Sequence, residues 1–264
     1  MNKYADYSSL SVERLGDVLR VTLANPRNKV NAVDGPMHAE LVRIFAELKT
    51  EQAARAVVLT GSGRAFSAGG EFGWLSGIGP RDLDELRREG KQLVWNLLDV
   101  ELPIVAAVNG PAVGLGATIA LLCDTIFIAE TATVADPHVR IGIVAGDGGA
   151  VAWPLAVGPA RAKQYLMTGD PLTAAEAERL GLVNVVVPAD ELADQALAFA
   201  RRLAAGPPLA VRYTKLAVNQ LVKQSMTTAF DYSTALELVT FASEDHRAAL
   251  RALRDKQAPE FHGR

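Results

Sequence analysis

Two segments rich in small residues contain the clearest chemical signal in this sequence. Residues 61–72 are Gly-Ser-Gly-Arg-Ala-Phe-Ser-Ala-Gly-Gly-Glu-Phe, and residues 108–116 are Val-Asn-Gly-Pro-Ala-Val-Gly-Leu-Gly. Glycine and alanine allow a ligand to approach the main chain closely. Backbone N–H groups that point at one ligand oxygen can stabilise developing negative charge there by several kcal/mol. The two segments together therefore predict a site that binds an oxyanion.

Each segment follows an apolar, β-branched run that is typical of a buried strand. The first run lies at residues 55–60 and the second at residues 104–108. Residues 114–122 have the spacing of a helix, so Leu115 lies where unpaired N–H groups and partial positive charge are expected. The small residues are thus predicted to lie at strand ends.

The rest of the chain alternates in the same way. Strands are predicted at residues 17–24 and 125–128, and helices at residues 34–49 and 81–99. This alternation is typical of an α/β fold with crossover connections. After Pro188 the spacing is helical only, at residues 191–203, 209–222, 226–241 and 244–254. The sequence therefore predicts an α/β core over residues 1–200 and a C-terminal helical region over residues 201–264.

Composition excludes several classes of partner. The 264 residues have a formal net charge of −3 and no block of Lys or Arg, so we expect no nucleic-acid partner. No apolar run approaches the ~20 residues that cross a bilayer, so we expect no membrane partner. The single Cys123 excludes a disulfide within the chain, and the first nine residues do not resemble a signal peptide. We therefore expect a cytoplasmic protein.

With these two segments in their strand-end positions, the sequence resembles the crotonase superfamily, the enoyl-CoA hydratase/isomerase enzymes, over residues 11–261. The resemblance implies a spiral of ββα units and C-terminal helices that build trimers, often paired into hexamers. It also implies an acyl-CoA thioester substrate whose carbonyl oxygen lies between two peptide N–H groups. By motif position these belong to Ala68 and Leu115. CoA would then be part of the substrate, and no separate cofactor or metal is implied.

The same resemblance implies a set of substrate-binding residues. Lys256 stands where a C-terminal lysine commonly reaches the CoA phosphate. The complete set, by motif position, is Lys29, Val30, Ala65, Gly70, Phe72, Gly114, Thr118, Pro137, Gly146 and Lys256.

The sequence departs from the family at the two glutamates that family hydratases use as acid and base. Their positions are occupied by Thr118 and His138. A threonine hydroxyl can position a water but cannot act as its base, whereas an imidazole titrates near neutral pH. Asp147 could fix the tautomer of His138 and complete a dyad that activates water. Two structural alternatives remain: Asp147 as a helix N-cap, and His138 as a partner of a nearby backbone group.

Residues 142–154 show a second, local resemblance, to 6-oxocamphor hydrolase, a crotonase relative that cleaves carbon–carbon bonds of cyclic β-diketones with a histidine–aspartate pair. His138 and Asp147 match that pair in spacing, and His38 and Glu237 fall on further site positions. Leu115 departs from the pattern, because that enzyme has a histidine there. For His38 and Glu237, ordinary helix packing or ion pairing remains an alternative.

Three functions follow from these residues. The first is an enoyl-CoA hydratase/isomerase-like enzyme that stabilises the enolate of an acyl-CoA thioester. The second is hydrolytic carbon–carbon cleavage of a β-diketone or β-keto thioester by water activated at His138 and Asp147. The third is an acyl-CoA binding protein without catalysis.

Overall fold

The computed structural model describes residues 4, 6–79 and 81–264, and it has the predicted α/β architecture. Residues 1–3 and 5 lie outside the described residues, so the expectation that the first nine residues are not a signal peptide falls partly outside them. The strands are β1 (Leu10–Leu15), β2 (Val18–Leu23), β3 (Ala56–Gly61), β4 (Ile104–Val108), β5 (Ala112–Val113), β6 (Thr125–Ala129), β7 (Thr133–Ala135), β8 (Leu172–Thr173) and β9 (Val185–Val187).

Ten α-helices and one 3₁₀ helix lie in the described part of the chain. The α-helices are α1 (Gly35–Leu48), α2 (Phe72–Gly77), α3 (Leu83–Asp99), α4 (Leu115–Leu121), α5 (Gly149–Val157), α6 (Pro159–Thr168), α7 (Ala174–Leu180), α8 (Leu192–Ala205), α9 (Pro208–Phe241) and α10 (Glu244–Asp255), and the 3₁₀ helix is His138–Ile141.

The strands form a larger and a smaller sheet. The six-stranded sheet has the order β1-β2-β3-β4-β6-β9, with β1 antiparallel to β2 and the other neighbours parallel. Every residue of β4 is buried, as expected for a parallel strand covered on both faces. The smaller sheet has the order β5-β7-β8. Because β3 and β4 are parallel neighbours, the segments that follow them leave the sheet at the same edge.

The C-terminal region is helical, but its boundaries differ from the prediction. The two helices predicted at residues 209–222 and 226–241 are one continuous 34-residue helix, α9. The intervening Lys-Gln-Ser contains neither glycine nor proline, and all three residues are tolerated inside a helix. The predicted boundary at residue 200 falls inside α8, which packs against β3 and β4. The division into two domains stays a prediction.

No helix of the described residues is both long enough and apolar enough to cross a bilayer.

Candidate active site

Most of the predicted site residues line one cavity of about 260 Å³. It lies at the edge where the segments after β3 and β4 leave the large sheet, and α9 and α10 close its other side. The predicted residues that line it are His38, Ala68, Gly70, Phe72, Gly114, Leu115, Pro137, His138, Gly146, Asp147 and Glu237.

Five predicted residues do not line this cavity. Thr118 is fully buried behind it, and Ala65 is buried as well. Lys29 and Lys256 are exposed, and Val30 is half-buried. Thr118 contributes indirectly, through a hydrogen bond described below. The substrate-binding roles of the other four stay predictions.

The two glycine-rich segments lie side by side. Ser67 N–H donates to the carbonyl of Pro111 at 3.2 Å, and Val113 N–H donates to the carbonyl of Ser67 at 2.9 Å. Gly69 has a φ of 78°, and a Cβ there would lie 2.7 Å from the carbonyl oxygen of Val113. Glycine is therefore required at residue 69 for both conformation and space.

The prediction that the Ala68 amide binds the oxyanion is wrong. Its N–H already donates to the carbonyl of Val30 at 3.0 Å, so it is occupied within the protein. Gly70, two residues further on, also lines the cavity, and its N–H has no acceptor among the described residues. The N–H of Leu115, at the start of α4, likewise has no acceptor in that part of the chain. The donors available to a ligand are thus Gly70 and Leu115.

A charged cluster forms the opposite wall. His138 begins the 3₁₀ helix directly after β7, and its Nδ1 is hydrogen-bonded to a carboxylate oxygen of Asp136. Its Nε2 lies 3.6 Å from Oδ2 of Asp147. The structure therefore brings His138 and Asp147 together, as the spacing predicted. The two walls lie close together at Gly114, because a Cβ on this residue would lie 3.3 Å from Cε1 of His138.

The two oxygens of Asp147 have different surroundings. Oδ1 accepts hydrogen bonds from the Thr118 hydroxyl at 3.1 Å and from the N–H of Gly149 at 3.2 Å. Gly149 is the first residue of α5, but the N-cap residue of this helix is Gly148, so Asp147 is not its N-cap. Oδ2 is buried without a hydrogen-bond partner in the described chain and is the oxygen that approaches His138.

Asp136 is a residue that the sequence interpretation missed. Its side chain is fully buried, and one carboxylate oxygen contacts His138. The available signal was a carboxylate two residues before the candidate histidine, in Ala-Asp-Pro-His. Ligand atoms of Asp136, His138 and Asp147 lie within 4.8 Å of one another. The imidazole–carboxylate hydrogen bond accounts for this spacing, and we assign no metal to it.

Burial and neighbouring charges shift the pKa values of this cluster. Burial by itself would lower the pKa of His138, but the carboxylates of Asp136 and Asp147 outweigh it and raise the pKa to about 10. Burial raises the pKa of Asp147, against the opposing effect of His138. Burial also raises the pKa of Glu237 to about 8. His138 is thus held protonated at neutral pH, and Glu237 is held neutral.

His38 lies at the far end of the cavity. It is buried, its Nδ1 is 3.0 Å from Oε2 of Glu89, and its ring packs against Trp74 with centroids 5.5 Å apart. This polar contact and the ring contact agree with the structural alternative considered for His38, although the residue also lines the cavity.

Comparison with known proteins decides the family. The family model described as enoyl-CoA hydratase/isomerase matches residues 13–264. A probable enoyl-CoA hydratase of Mycobacterium bovis is 34% identical over 258 residues, which are 97% of this chain and 98% of that protein. The chain belongs to the enoyl-CoA hydratase/isomerase family. The predicted membership of the crotonase superfamily is therefore confirmed.

Solved structures of this family confirm the fold. An enoyl-CoA hydratase/isomerase from Mycobacterium paratuberculosis matches with a TM-score of 0.87 and 37% identity, over 94% of this chain and 99% of that chain. A beta-diketone hydrolase from Anabaena, bound to (S)-3-oxocyclohexyl acetic acid, matches with a TM-score of 0.85 and 34% identity. It covers 91% of this chain and 98% of its own. The crotonase-type fold is thus confirmed.

The wall formed by His138 and Asp147 differs from what the resemblance implies. The resemblance places glutamates at the positions of Thr118 and His138, and neither is present. In the structure the Thr118 hydroxyl instead holds a carboxylate from a different segment, Asp147. A carboxylate and an imidazolium therefore occupy the region where the resemblance implies two carboxylic acids.

Proposed function

We propose that this protein is an enoyl-CoA hydratase-like enzyme that acts on an acyl-CoA thioester through an enolate. One observation carries the proposal: the backbone N–H groups of Gly70 and Leu115, which have no acceptor among the described residues, line the same cavity as the His138–Asp147 pair. These N–H groups would donate hydrogen bonds to the thioester oxygen and stabilise the negative charge that develops on it.

Asp147 and His138 can divide the acid–base work. Asp147 accepts a proton from water, and the resulting hydroxide forms a bond to Cβ of the 2-enoyl thioester. The electron pair of the double bond moves to the thioester oxygen as an enolate. His138 then donates a proton to Cα, which restores the thioester carbonyl. No other reactant is needed.

The pKa shifts suit these roles. An acid must be protonated at the working pH, and the carboxylates beside His138 raise its pKa to about 10. A base is more effective when its pKa approaches the working pH, and burial raises the pKa of Asp147. The Thr118 hydroxyl orients that carboxylate without competing as a base.

Turnover of short and medium 2-enoyl-CoA thioesters tests the proposal. We expect 3-hydroxyacyl-CoA to form, and we expect Asp147→Asn to lower kcat by about 100-fold or more while binding of the saturated acyl-CoA is retained. His262→Gln, at an exposed histidine that does not line the cavity, is the control and should keep the full rate. Absence of turnover across the panel at high enzyme concentration would remove the hydratase assignment.

Solvent exchange separates enolate formation from hydration. In deuterium oxide, a working site should exchange protons at Cα of a saturated acyl-CoA, because this step needs only the oxyanion donors and one base. Exchange without hydration would retain the acyl-CoA enolate chemistry and point to another member reaction of the superfamily.

A second candidate is hydrolytic carbon–carbon cleavage, favoured by the His138–Asp147 pair and by the likeness to the beta-diketone hydrolase from Anabaena. Water would add to one carbonyl carbon of a β-diketone after losing a proton to this pair. The bond between that carbon and the central carbon would break, and its electron pair would form an enolate that is then protonated. The product is a keto acid.

Cyclic β-diketones and β-keto thioesters distinguish the two candidates. Hydrolysis of a diketone, with no hydration of any enoyl-CoA, would replace the hydratase proposal by the hydrolase. Hydration alone would exclude the second candidate.

We also propose a homotrimer or a hexamer of two trimers. The long helix α9 exposes large apolar side chains along its length, and exposed apolar surface of this kind often marks an interface. These residues are Leu209, Tyr213, Val218, Leu221, Tyr232, Leu236 and Val239. Light scattering should give three or six times the 28.1 kDa chain mass. A monomer at micromolar concentration would contradict the proposal.

A further inference from the structure

Asp136 is the carboxylate closest to the imidazole of His138, and the proposed reaction gives it no role yet. We propose that Asp136 is a positioning residue that keeps a proton on Nδ1 of His138, so that Nε2 is the nitrogen that exchanges protons with the substrate. The inference rests on the proposed function, in which His138 is the acid.

The burial of Asp136 restricts it to this contact. Its side chain has no exposed surface, and one oxygen is hydrogen-bonded to Nδ1 of His138. The other oxygen has no hydrogen-bond partner in the described chain and lies directly against the Cα of Gly149, where a Cβ would overlap it. Only Pro137 separates Asp136 from His138, and its ring limits the backbone between them. Asp136 therefore has little freedom to turn away from the imidazole.

Asp147 is less suited to this orienting role. Its closest approach to the ring is 3.6 Å, from Oδ2 to Nε2, which is too long for a hydrogen bond. Thr118 and Gly149 hold its other oxygen in place. The sequence interpretation gave Asp147 the task of fixing the tautomer. The distances assign that task to Asp136 and leave Oδ2 of Asp147 free to accept a proton.

The position of the ring is compatible with this division. A Cβ on Gly114 would lie 3.3 Å from Cε1, 3.7 Å from Nε2 and 3.9 Å from Nδ1, so the Cε1 edge of the imidazole faces the residue directly before the Leu115 N–H. A proton on Nε2 is thus close to the place proposed for the substrate oxygen and Cα. A carboxylate on the far nitrogen of a catalytic imidazole both orients the ring and stabilises its protonated form.

Three other titratable groups face His138 or its turn and enter the pH behaviour. Asp147 approaches from the loop before α5, and Glu237 approaches from α9. His246 of α10 contacts the same 3₁₀ turn, with its Nδ1 2.6 Å from the carbonyl of Ile141. Burial lowers the pKa of His246, so it loses its proton at lower pH than His138 does.

Nitrogen-15 NMR of histidine-labelled protein tests the inference without any substrate. As the pH rises through the deprotonation of His138, we expect Nε2 to lose its proton while Nδ1 keeps it. His246 is the internal control, because its Nδ1–H donates to a backbone carbonyl at every pH. A neutral His138 that keeps its proton on Nε2 in the unmodified protein would overturn the inference.

Two substitutions separate the charge of Asp136 from its hydrogen bond. Asp136→Asn retains an acceptor for Nδ1–H but removes the charge, so the Nδ1 tautomer should persist while the alkaline limb of the kcat/KM profile moves to lower pH. Asp136→Ala removes both, and the remaining proton should move to Nε2. We expect Asp136→Ala to lower kcat by about 10- to 100-fold with little change in KM.

The outcomes distinguish this inference from the proposed function. If Asp136→Ala remains folded and both its tautomer and its pH limb are unchanged, Asp136 does not position His138. If the tautomer changes as expected but no enoyl-CoA or diketone is turned over by the unmodified protein, the inference about His138 holds and the proposed reaction fails. Should Asp136→Ala not fold, the NMR experiment on the unmodified protein decides.

Discussion

The two walls of the cavity are built by different means. One wall consists of backbone N–H groups from Gly70 and Leu115, held by hydrogen bonds between main-chain atoms. The other is built from ionisable side chains: His138 and Asp147 line the cavity, and the fully buried Asp136 does not line it but is hydrogen-bonded to His138. The first wall depends on chain geometry and requires glycine at residue 69, although one of its donors belongs to Leu115. The second depends on which side chains are present and on their protonation.

This difference shows how one fold can support several reactions. A backbone donor needs no particular side chain, so the backbone wall stays intact when neighbouring side chains change. The side-chain wall can be altered by a few substitutions, as at Thr118 and His138. In the proposed reaction, the backbone wall therefore sets the class of intermediate, and the side-chain wall decides what happens to it.

Replacing the central residue of the side-chain wall should have the largest effect. We expect His138→Gln to lower kcat by about 100- to 10,000-fold, because the acid that donates the proton is lost while the backbone wall remains. Acyl-CoA affinity, measured by calorimetry, should change only a few-fold. An equal loss of affinity and rate would mean that the two walls do not act separately.

A substitution that displaces the backbone wall should have the next largest effect. In Gly69→Ala, the added methyl would lie 2.7 Å from the Val113 carbonyl oxygen and would strain a residue with φ of 78°. We expect kcat to fall by about 10- to 100-fold as the Gly70 donor moves. The free energy of unfolding should fall by about 1–3 kcal/mol.

Gly77→Ala is the matched control, because a Cβ there has no neighbour within 4 Å. It should leave activity and unfolding by urea nearly unchanged. Normal activity in Gly69→Ala would contradict the donor assignment.

Glu237 tests how the side-chain wall depends on pH. Burial raises its pKa from 4.5 to about 8, so the unfolded chain releases this proton at lower pH than the folded protein does. The stabilising contribution of the neutral acid is complete below pH 4.5 and is lost as the pH rises towards 8. Glu237→Gln should therefore be more stable than the unmodified protein at pH 9, by on the order of 3 kcal/mol.

Urea unfolding at pH 5 and pH 9 measures this effect. The difference between variant and unmodified protein should be much smaller at pH 5, where both side chains are neutral. A difference that does not change with pH would show that Glu237 is ionised in the folded protein.

The smallest expected effect is at the contact between Thr118 and Asp147. Thr118→Val removes a 3.1 Å hydrogen bond that lowers the pKa of Asp147, so the acidic limb of the kcat/KM profile should move to higher pH. The rate should fall by less than about tenfold, as expected for the loss of about 1 kcal/mol. Thr118→Ser keeps the hydroxyl and should behave like the unmodified protein. If both variants behave alike, the hydroxyl does not orient Asp147.

Local patterns predicted some elements closely, where the periodicity is strong. The all-buried strand β4 and the helix α1 lie within a residue or so of their predicted ranges. Long-range pairing was less accessible. Nothing in the sequence around Ala68 showed that its N–H would meet the carbonyl of Val30, a residue 38 positions earlier, so the donor was assigned two residues too early.

The sequence by itself determined the family, the two strand-end segments and the nearness of His138 to Asp147, because these follow from local motifs and their spacing. Only the tertiary structure decided which N–H groups remain free, that Asp136 holds His138, and that Thr118 holds Asp147. Hydrogen bonds and pKa values depend on which groups meet after folding, and a linear pattern does not contain those distances.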